Sequence, residues 1–425
     1  MAEGRGANTV LIFFITTPSR AGAGVGAGAG VGVGLINAVA DEQSKTLGSE
    51  SRATQNPSAL NYHPAPARHP HNLPPYMPTP PPTIAIVGAT GAVGREMLAV
   101  LEQRNFKHRT IRAFASPRSA GQQLPYRGTT ITVEALTDAW PSGIDCALLS
   151  AGSGISKAVA PKAVASGTVV IDNSSAFRMT PGVPLIVPEI NMHADTSTGG
   201  RIIANPNCST IILLMAATPL HRALGIERMV VSTYQAASGA GWQAMEALEN
   251  ESRAVLAGQP HHASIFHEPY AFNLFCHNSA MDPTTGLNAE EQKMISETRK
   301  IWGDETVRIS ATCVRVPVLR AHCESVNITL KKPATLAQVR AALAQAPGVQ
   351  IIDDRASNTF PTPLKATGGD DVLIGRLRAD PSQLPPGANP DGSTPTLGFD
   401  LFIAGDQLRK GAALNAVQIA ERIFN

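Results

Sequence analysis

The segment TIAIVGATGAVGREMLAVLEQR, residues 83–104, decides the fold of the region that follows it. Its first residues form a short apolar run, which is typical of a buried strand. A glycine-rich turn comes next, and beyond it Met97, Leu98 and Leu101 recur at helical spacing. The segment therefore predicts a strand, a tight turn and a helix, which together form the opening unit of a doubly wound α/β sheet.

The glycines of this turn have the spacing GxxGxxG, whereas the commonest dinucleotide-binding turn has GxGxxG. Between a strand and a helix, such a turn directs backbone N–H groups and the helix dipole at a pyrophosphate. An ordinary glycine-rich turn without a ligand is the alternative. The residues predicted to contact a dinucleotide here are Gly88, Thr90, Gly91, Ala92, Val93 and Gly94.

The second predicted strand, TIRAFAS at residues 110–116, should end near the adenine ribose. Sites that prefer NAD usually have an acidic residue at this point, but here Ser116 is followed by Pro117, Arg118 and Ser119. A cation with two hydroxyl groups suits a 2′-phosphate, so the sequence favours NADP. A solvated turn that contains an arginine is the alternative interpretation.

Two further strands are predicted, DCALLSA at residues 145–151 and TVVIDNSS at residues 168–175, with helix-like sequence between consecutive strands. This alternation predicts a doubly wound parallel sheet of the Rossmann type. Ser150, Gly152 and Asn173 fall at strand ends, where such sheets bind ligands. We therefore predict that these three residues contact the cofactor.

Composition limits the classes of function. The 425 residues are 43% hydrophobic, which is enough for about two globular domains. The net charge of +2 favours neither nucleic acid nor a membrane surface as a partner. The five cysteines are scattered and never spaced as CxxC, which argues against a disulfide framework or a cysteine metal site. A reducing compartment, the cytoplasm, fits best.

Residues 1–82 differ from the rest of the chain, with a glycine-rich run followed by many prolines. Such a segment cannot bury enough apolar surface to fold, so a disordered extension is predicted. The apolar stretch at residues 10–15 is far too short to span a membrane. The alternatives to a disordered extension are a weak signal or transit peptide, which could direct the protein to an organelle, and an upstream translation start. No metal site is predicted, because prolines interrupt His63, His69 and His71.

One cysteine lies between a proline turn and a long apolar run, in RIIANPNCSTIILLMAATPL at residues 201–220. The pattern predicts a strand, a turn and a buried helix that begins at Cys208. At a helix N-terminus the dipole and free N–H groups should lower the pKa of the Cys208 thiol and could hold an oxyanion. On these residues alone, both a packing cysteine and a nucleophile remain possible.

Five separated motifs occur in a fixed order along residues 83–425. They are GATGAVG (88–94), NPNCST (205–210), YQAASGAG (234–241), RVPVLRAH (315–322) and GDQLRKGAALNAVQIAE (405–421). Together they resemble the aspartate-β-semialdehyde dehydrogenase family. The glycine turn alone would not be specific, but the set of motifs is.

The resemblance implies a role for each residue of the catalytic centre. Cys208 would be the nucleophile that forms a thioester with the acyl group, a role that suits a thiolate. His322 would be its acid/base partner, since imidazole titrates in the required range. Gln235 would position the acyl intermediate.

The resemblance also implies the substrate contacts. Arg315 would hold the α-carboxylate through two parallel hydrogen bonds. Arg178 and Lys293 would hold the phosphate, and Glu290 would pair with the ammonium group. Glu291 is the alternative to Glu290, but Glu290 is favoured because Lys293 lies one helical turn further on. A solvated surface pair on a helix is the other interpretation.

The implied reaction is the NADPH-dependent reductive dephosphorylation of L-aspartyl-4-phosphate to L-aspartate 4-semialdehyde. In the family this is the branch step toward lysine (through diaminopimelate), threonine, methionine and isoleucine.

The resemblance divides the chain into a cofactor domain, residues 83–207 completed by a helix at 407–425, and a catalytic domain, residues 208–406, with a mixed sheet. The mixed sheet would form a homodimer, and a tetramer is also possible. Gly239 and Gln407 would contact the cofactor.

Four alternatives remain. N-acetyl-γ-glutamyl-phosphate reductase has the same chemistry, but it would show His-Pro-Gly-Cys where this chain has Asn-Pro-Asn-Cys. Related acylating aldehyde or malonyl-CoA reductases would have less use for Arg315 and Glu290. A catalytically dead relative should lack Cys208 or His322, and both are present. A redox sensor would need a second cysteine near Cys208 in the fold.

Overall fold

The computed structural model describes residues 80–192, 202–263 and 265–424. Nearly all of the predicted N-terminal extension, including its histidines, lies outside these ranges. Two seven-stranded sheets organise the described residues. None of the helices in these ranges is both long enough and apolar enough to cross a bilayer.

The first sheet begins with the strand predicted from the sequence. Its strands are β1 (Thr83–Val87), β2 (Thr110–Ala115), β3 (Gln123–Tyr126), β4 (Thr129–Ala135), β5 (Cys146–Leu149), β6 (Val169–Asp172) and β7 (Ile202–Ala204). They lie in the order β3-β4-β2-β1-β5-β6-β7, and all pair in parallel except β3, which is antiparallel to β4. The helices of this region are α1 (Ala92–Gln103), α2 (Ser153–Ala165) and α3 (Pro188–Asn191). The predicted Rossmann-type sheet is confirmed.

Helices cover both faces of this sheet, which explains why its central strands are continuous apolar runs. Residues Ile84 and Ile86 of β1 pack with α1, and the alternate residues Ala85 and Val87 pack with α2. The predicted apolar face of α1 is buried at Met97, Leu98 and Leu101.

The region between β2 and β5 corrects one prediction. Helix-like sequence was expected there, but the chain forms the β3–β4 hairpin. In QLPY, alternate residues are buried, as in a strand with one face on the core. The turn between the strands has positive φ at both Arg127 (47°) and Gly128 (73°), the geometry that joins two-residue hairpins.

The second sheet is mixed and follows a long buried helix, α4 (Cys208–Leu224). Its strands are β8 (Ile226–Gln235), β9 (Phe275–Cys276), β10 (Arg308–Arg315), β11 (His322–Ala334), β12 (Val349–Ile351), β13 (Val372–Ala379) and β14 (Thr396–Gly405), in the order β12-β13-β14-β11-β8-β10-β9. The other helices are α5 (Trp242–Leu256), α6 (Ala289–Trp302), α7 (Leu336–Ala344), α8 (Pro363–Ala366) and α9 (Leu414–Phe424). The inner face of the sheet packs on α4.

The end of the chain returns to the first sheet, where α9 packs with α1 in one apolar cluster. The sequence predicted one continuous helix at residues 407–425, but Arg409–Ala413 is a π-helical turn and α9 begins at Leu414. The N–H groups of Gly411 and Ala413 reach back five residues, to the carbonyls of Asp406 (3.1 Å) and Leu408 (2.9 Å). Such turns are rare and often lie at functional sites.

Candidate active site

A cavity of 370 Å³ opens beyond the carboxyl ends of the parallel strands. The predicted site residues that line it are Val93, Ser150, Gly152, Asn173, Arg178, Cys208, Gln235, Gly239, Glu290, Lys293, Arg315 and Gln407. Other predicted residues do not line it, namely Gly88, Thr90, Gly91, Ala92, Gly94, Ser116, Arg118, Ser119 and His322. One cavity therefore brings together residues from both sheets.

The glycine turn has the geometry of a phosphate-binding turn. Gly88 has φ +86°, which favours glycine. A Cβ atom on Gly94 would lie 2.3 Å from the carbonyl oxygen of Gly88, so only glycine lets α1 start this close to β1. Gly91 caps α1 without a side-chain hydrogen bond, so no side chain occupies the N-terminal N–H groups of the helix.

The residues after β2 form a short 3₁₀ turn, Pro117–Ser119, held by a hydrogen bond from the N–H of Ser119 to the carbonyl of Ser116 (2.9 Å). Arg118 is exposed on this turn. Within the described ranges, no hydrogen bond or ion pair holds its guanidinium. Its five donors are thus available to a ligand.

The predicted residues at the ends of β5 and β6 bond to their own sheet. The hydroxyl of Ser150 donates to the carbonyl of Val87 (3.1 Å), and Nδ2 of Asn173 donates to the carbonyl of Leu149 (3.1 Å). Gly152 has φ +89° and caps α2. These bonds fix the cavity wall on the side of the glycine turn.

Cys208 is the first residue of α4, as the sequence predicted, but its local electrostatics differ from the prediction. The side chain of Asn207 accepts the N–H groups of Ser209 (3.0 Å) and Thr210 (3.2 Å), so these donors are occupied by the cap. Desolvation and the nearby Glu290 raise the pKa of the Cys208 thiol to about 12, outweighing Arg178 and Arg315. The expected lowering of the pKa is wrong, because burial outweighs a helix dipole.

His322 is fully buried at the start of β11. Its Nδ1 lies 2.9 Å from the backbone N–H of Ala236, which can only donate, so Nδ1 accepts and the neutral ring has its proton on Nε2. Nε2 has no hydrogen-bond partner among the described residues. Burial and the charge of Arg315 lower the pKa of His322 to about 3, so the resting imidazole is neutral.

Strand register explains why three separated motifs converge. Arg315 on β10 pairs with Gln235 on β8. On the next strand, β11, Cys323 pairs with Tyr234, which brings the adjacent His322 level with Gln235. Residues opposite each other in neighbouring strands share one face of the sheet. Gly239 follows β8, and a Cβ atom there would lie 2.9 Å from His322 Nε2, so the missing side chain leaves room for the imidazole.

The two adjacent acids of α6 have different partners. Glu291 accepts the N–H of Asn288 in a capping box and the N–H of Cys313, so it is tied to the protein frame. Glu290 lines the cavity and accepts from Asn207 Nδ2 (2.7 Å) and Lys293 Nζ (3.0 Å).

Burial alone would raise the pKa of the Glu290 carboxyl, but the charge of Lys293 and the hydrogen bonds from Asn207 and Lys293 outweigh it and lower the pKa to about 2. Glu290 is therefore an anion in the cavity wall. Gln235 Nε2 also donates to it (3.2 Å).

Arg178 is buried, and the chain already holds its guanidinium. It donates to the backbone carbonyls of Asn205 (2.9 Å) and Asn173 (2.8 Å) and to the Glu297 carboxylate (3.0 Å). No sequence motif pointed to Glu297, which also accepts the N–H of Asn207 at 2.6 Å. Its spacing of seven residues from Glu290 on the same helix was the available signal.

Arg315 is held by residues that no motif pointed to. Its Nε donates to Asn278 Oδ1 (3.2 Å), one terminal nitrogen donates to the carbonyl of Ala236 (3.2 Å), and the other contacts His277 Nε2 (2.8 Å). These contacts use three of the five N–H donors of a guanidinium and leave two. Burial, followed by the Arg315 charge, lowers the pKa of His277 to about 4, so that imidazole is neutral.

Gln407 lies at the other side of the cavity, just before the π-helical turn. Its Oε1 accepts the N–H of Ala321 (2.9 Å), and its Nε2 donates to the Ser238 hydroxyl. Gly411 of the turn packs against Cys208, since a Cβ atom there would lie 3.0 Å from Cys208 Cβ. The C-terminal segment therefore contributes to the wall beside Cys208.

Two family models and several known proteins are similar to this chain in sequence. The family model for the semialdehyde dehydrogenase NAD binding domain matches residues 83–197, and the model for the semialdehyde dehydrogenase dimerisation domain matches residues 218–410. An aspartate-semialdehyde dehydrogenase of Synechocystis sp. is 50% identical over 80% of this chain and 96% of its own length. One from Prochlorococcus marinus is 45% identical over 82% and 97%.

Solved structures agree with the sequence comparisons. Aspartate semialdehyde dehydrogenase II from Vibrio cholerae matches with a TM-score of 0.75 and 40% identity, over 81% of this chain and 98% of that one. A second structure of that enzyme is complexed with ASA, and its identity is 39%. The enzyme from Candida albicans, solved with NADP, is 21% identical with a TM-score of 0.60, and it supports the fold alone. The chain, with its glycine turn, its cavity and its two sheets, belongs to the aspartate-semialdehyde dehydrogenase family.

Proposed function

We propose that this chain reduces L-aspartyl-4-phosphate to L-aspartate 4-semialdehyde with NADPH, through a thioester on Cys208. The observation that carries the proposal is the convergence of Cys208, Arg178, Arg315 and Glu290 on one cavity. The substrate has two anionic groups and one ammonium group. Two guanidiniums and one carboxylate match those charges, with the nucleophile at the same cavity wall.

The resting protonation states define the chemistry of the first step. Cys208 rests as a thiol, and its Sγ attacks the acyl carbon as a thiolate, which forms as the thiol proton moves to the departing phosphate group. The thiol proton leaves with the phosphate, so the charge balances. Arg178 stabilises the departing phosphate, and Gln235 keeps the acyl group in position.

When bound, NADPH supplies the hydride that reduces the thioester carbon. His322 assists at this stage without losing its proton, because its Nε2–H is a free donor and can stabilise the thiohemiacetal oxyanion through a hydrogen bond. Collapse of the thiohemiacetal anion releases the aldehyde and a thiolate, which takes one proton from water to restore the thiol. In the reverse direction the same groups support phosphate-dependent oxidation of the semialdehyde.

The test is phosphate-dependent reduction of NADP by the purified protein, with L-aspartate semialdehyde and N-acetyl-glutamate semialdehyde assayed side by side. Turnover of the first substrate alone supports the proposal. Turnover of the acetylated substrate alone would mean that Glu290 and Arg315 do not bind an amino acid. Turnover of neither would return Cys208 to a packing or redox role.

The preference for NADP is expected to depend on Arg118. Arg118→Ala should weaken NADPH binding about tenfold more than NADH binding, because an exposed, unpaired guanidinium is lost as a partner of the 2′-phosphate. Fluorescence titration of both cofactors measures this ratio. Arg109→Ala, at the opposite end of β2, is the matched control and should leave the ratio unchanged. Equal weakening of NADPH and NADH binding in Arg118→Ala would contradict a contact between Arg118 and the 2′-phosphate.

We also propose a homodimer formed by the outer face of the second sheet. The supporting observation is that Tyr234, near the middle of the sheet, is 38% exposed, with its ring tilted by 42° against the ring of Phe402. Sedimentation equilibrium should give the mass of two chains. Tyr234→Asp should shift the mass toward one chain, because two copies of the charge would meet across a twofold axis. Leu256→Asp, at the exposed end of α5, should leave the mass unchanged.

In the proposed reaction sequence, the product feeds the synthesis of lysine, threonine, methionine and isoleucine in the cytoplasm. The support is the family membership and the five free cysteines, which suit a reducing compartment. Expression in a bacterial strain that lacks this activity should restore growth without diaminopimelate, and failure to do so would count against this placement.

A further inference from the structure

Lys410 is a buried lysine in the π-helical turn that the proposed reaction does not use. Only 1% of its side chain is exposed. Its Nζ donates to Glu189 Oε2 (2.5 Å), Asn415 Oδ1 (2.9 Å) and Gln418 Oε1 (2.8 Å). All three N–H donors of the Lys410 ammonium group are thus engaged. An ammonium group can donate hydrogen bonds but cannot accept them.

This ammonium determines the orientation of the next side chain. Because Lys410 can only donate, the atom of Asn415 that faces it must be the carbonyl oxygen Oδ1. Nδ2 of Asn415 therefore points the other way, where it donates to the carbonyl of Ile186 (2.9 Å) and to Asn205 Oδ1 (2.6 Å). Both of its N–H donors are used.

The same logic then fixes Asn205. Its Oδ1 accepts from Asn415, so its Nδ2 must face away from Asn415. Asn205 is 1% exposed, and Nδ2 has no hydrogen-bond partner among the described residues. Asn205 lines the cavity, three residues before Cys208. A buried amide donor without a partner is costly unless a ligand satisfies it.

The position of Asn205 indicates which ligand group it serves. The backbone carbonyl of Asn205 accepts Nε of Arg178 (2.9 Å), so Asn205 and the Arg178 guanidinium are neighbours in the cavity wall. Asn173, the next contact of Arg178, also lines this corner. An uncharged donor beside a guanidinium suits an oxyanion with several acceptor oxygens.

We propose that Asn205 is a further phosphate-binding residue, whose Nδ2 donates to a phosphate oxygen of the substrate, and that Lys410 sets its orientation through Asn415. Asn205 contacts the ligand, whereas Lys410 and Asn415 are positioning residues. The inference rests on the proposed function, because it requires a phosphate group at this corner.

Two substitutions test it. Asn205→Asp replaces the donor with an acceptor of the same shape. Asn415→Asp alters no atom of the cavity wall, but it places an acceptor against Asn205 Oδ1, so the Asn205 amide rotates and turns its oxygen to the cavity. Each should raise the KM for inorganic phosphate at least about tenfold in the oxidative assay, with the KM for the semialdehyde and NADPH binding unchanged. Asn205→Ala, which removes the donor without adding charge, should show the same direction.

Gln418→Glu is the matched control. It places the same negative charge against the same ammonium but does not touch Asn205, so phosphate KM should stay within about twofold of the wild type. An unchanged phosphate KM in Asn415→Asp overturns the inference that Lys410 sets the orientation of the Asn205 amide through Asn415. An unchanged value in Asn205→Asp and Asn205→Ala overturns the binding role, and a larger rise in the semialdehyde KM would show that the donor faces the acyl oxygen instead.

Calorimetric titration with inorganic phosphate separates this inference from the proposed function. If the wild type binds phosphate and the two aspartate variants bind it at least about tenfold more weakly, the inference holds whether or not L-aspartate semialdehyde is turned over. If the wild type turns over the semialdehyde but all variants bind phosphate equally, the proposed function stands and the role of Asn205 is wrong. Thermal unfolding of each variant identifies any variant that does not fold. If Asn205→Asp does not fold, the phosphate affinity of Asn205→Ala tests the binding role of Asn205.

Discussion

Replacing Cys208 with alanine is expected to abolish phosphate-dependent turnover, with a loss of at least about 10⁴-fold, while NADPH binding is retained. The reason is that the proposed reaction proceeds through a covalent bond to Sγ, for which alanine has no substitute. The change is small and lies at the cavity wall, and the Asn207 cap that begins α4 does not use the thiol. Initial rates and cofactor titration together measure both parts.

Cys276→Ala is the matched control for this experiment. Cys276 is exposed on β9, next to His277, and its sulfur has no place in the proposed reaction. Turnover should stay within about twofold of the wild type. Residual activity above about 1% in Cys208→Ala would contradict a thioester pathway, because a noncovalent route could not approach the rate of a covalent one.

The first sheet could be predicted because its information is local. Strands buried on both faces are continuous apolar runs, and the glycine turn and α1 follow β1 directly in the chain. The β3–β4 hairpin was missed because its strands are short and half exposed, and the Arg127–Gly128 turn lacks the usual asparagine or aspartate signal. Periodicity alone assigned this region wrongly.

The site required two kinds of information. Motif resemblance pointed to Cys208, Gln235, Arg315 and Glu290, and the structure brings them to one cavity. Their partners come from distant parts of the chain and belong to no motif. Asn278 and His277 hold Arg315, and they lie 37 and 38 residues away in the sequence. No local pattern could have selected them.

Electrostatics was the hardest part to predict. The helix N-terminus at Cys208 is visible in the sequence and argues for a lowered pKa of the thiol. The opposing effects, burial and the Glu290 carboxylate, depend on packing between α4 and α6 that the sequence does not show. Desolvation can shift a pKa by several units, whereas a helix terminus contributes less, so the net direction followed the packing.

Arg315 is the residue for which geometry allows the sharpest distinction between charge and shape. Its guanidinium is oriented from three sides by Asn278, Ala236 and His277, which leaves two N–H donors for a ligand. A carboxylate can accept two parallel bonds from a guanidinium. An ammonium group at this position keeps the charge but cannot reproduce the planar pair of donors.

Arg315→Lys is therefore expected to lower kcat/KM for L-aspartate semialdehyde by about 10²- to 10³-fold, with most of the loss in KM, because a single point charge replaces a bidentate contact and leaves Asn278 and His277 without their donor. Steady-state kinetics with saturating NADP and phosphate give both constants. Arg308→Lys, at the start of the same strand and paired with Glu227 on the surface, is the matched control and should change kcat/KM less than twofold. An Arg315→Lys variant with the kcat/KM of the wild type would mean that charge alone is sufficient and that the α-carboxylate is bound elsewhere in the cavity.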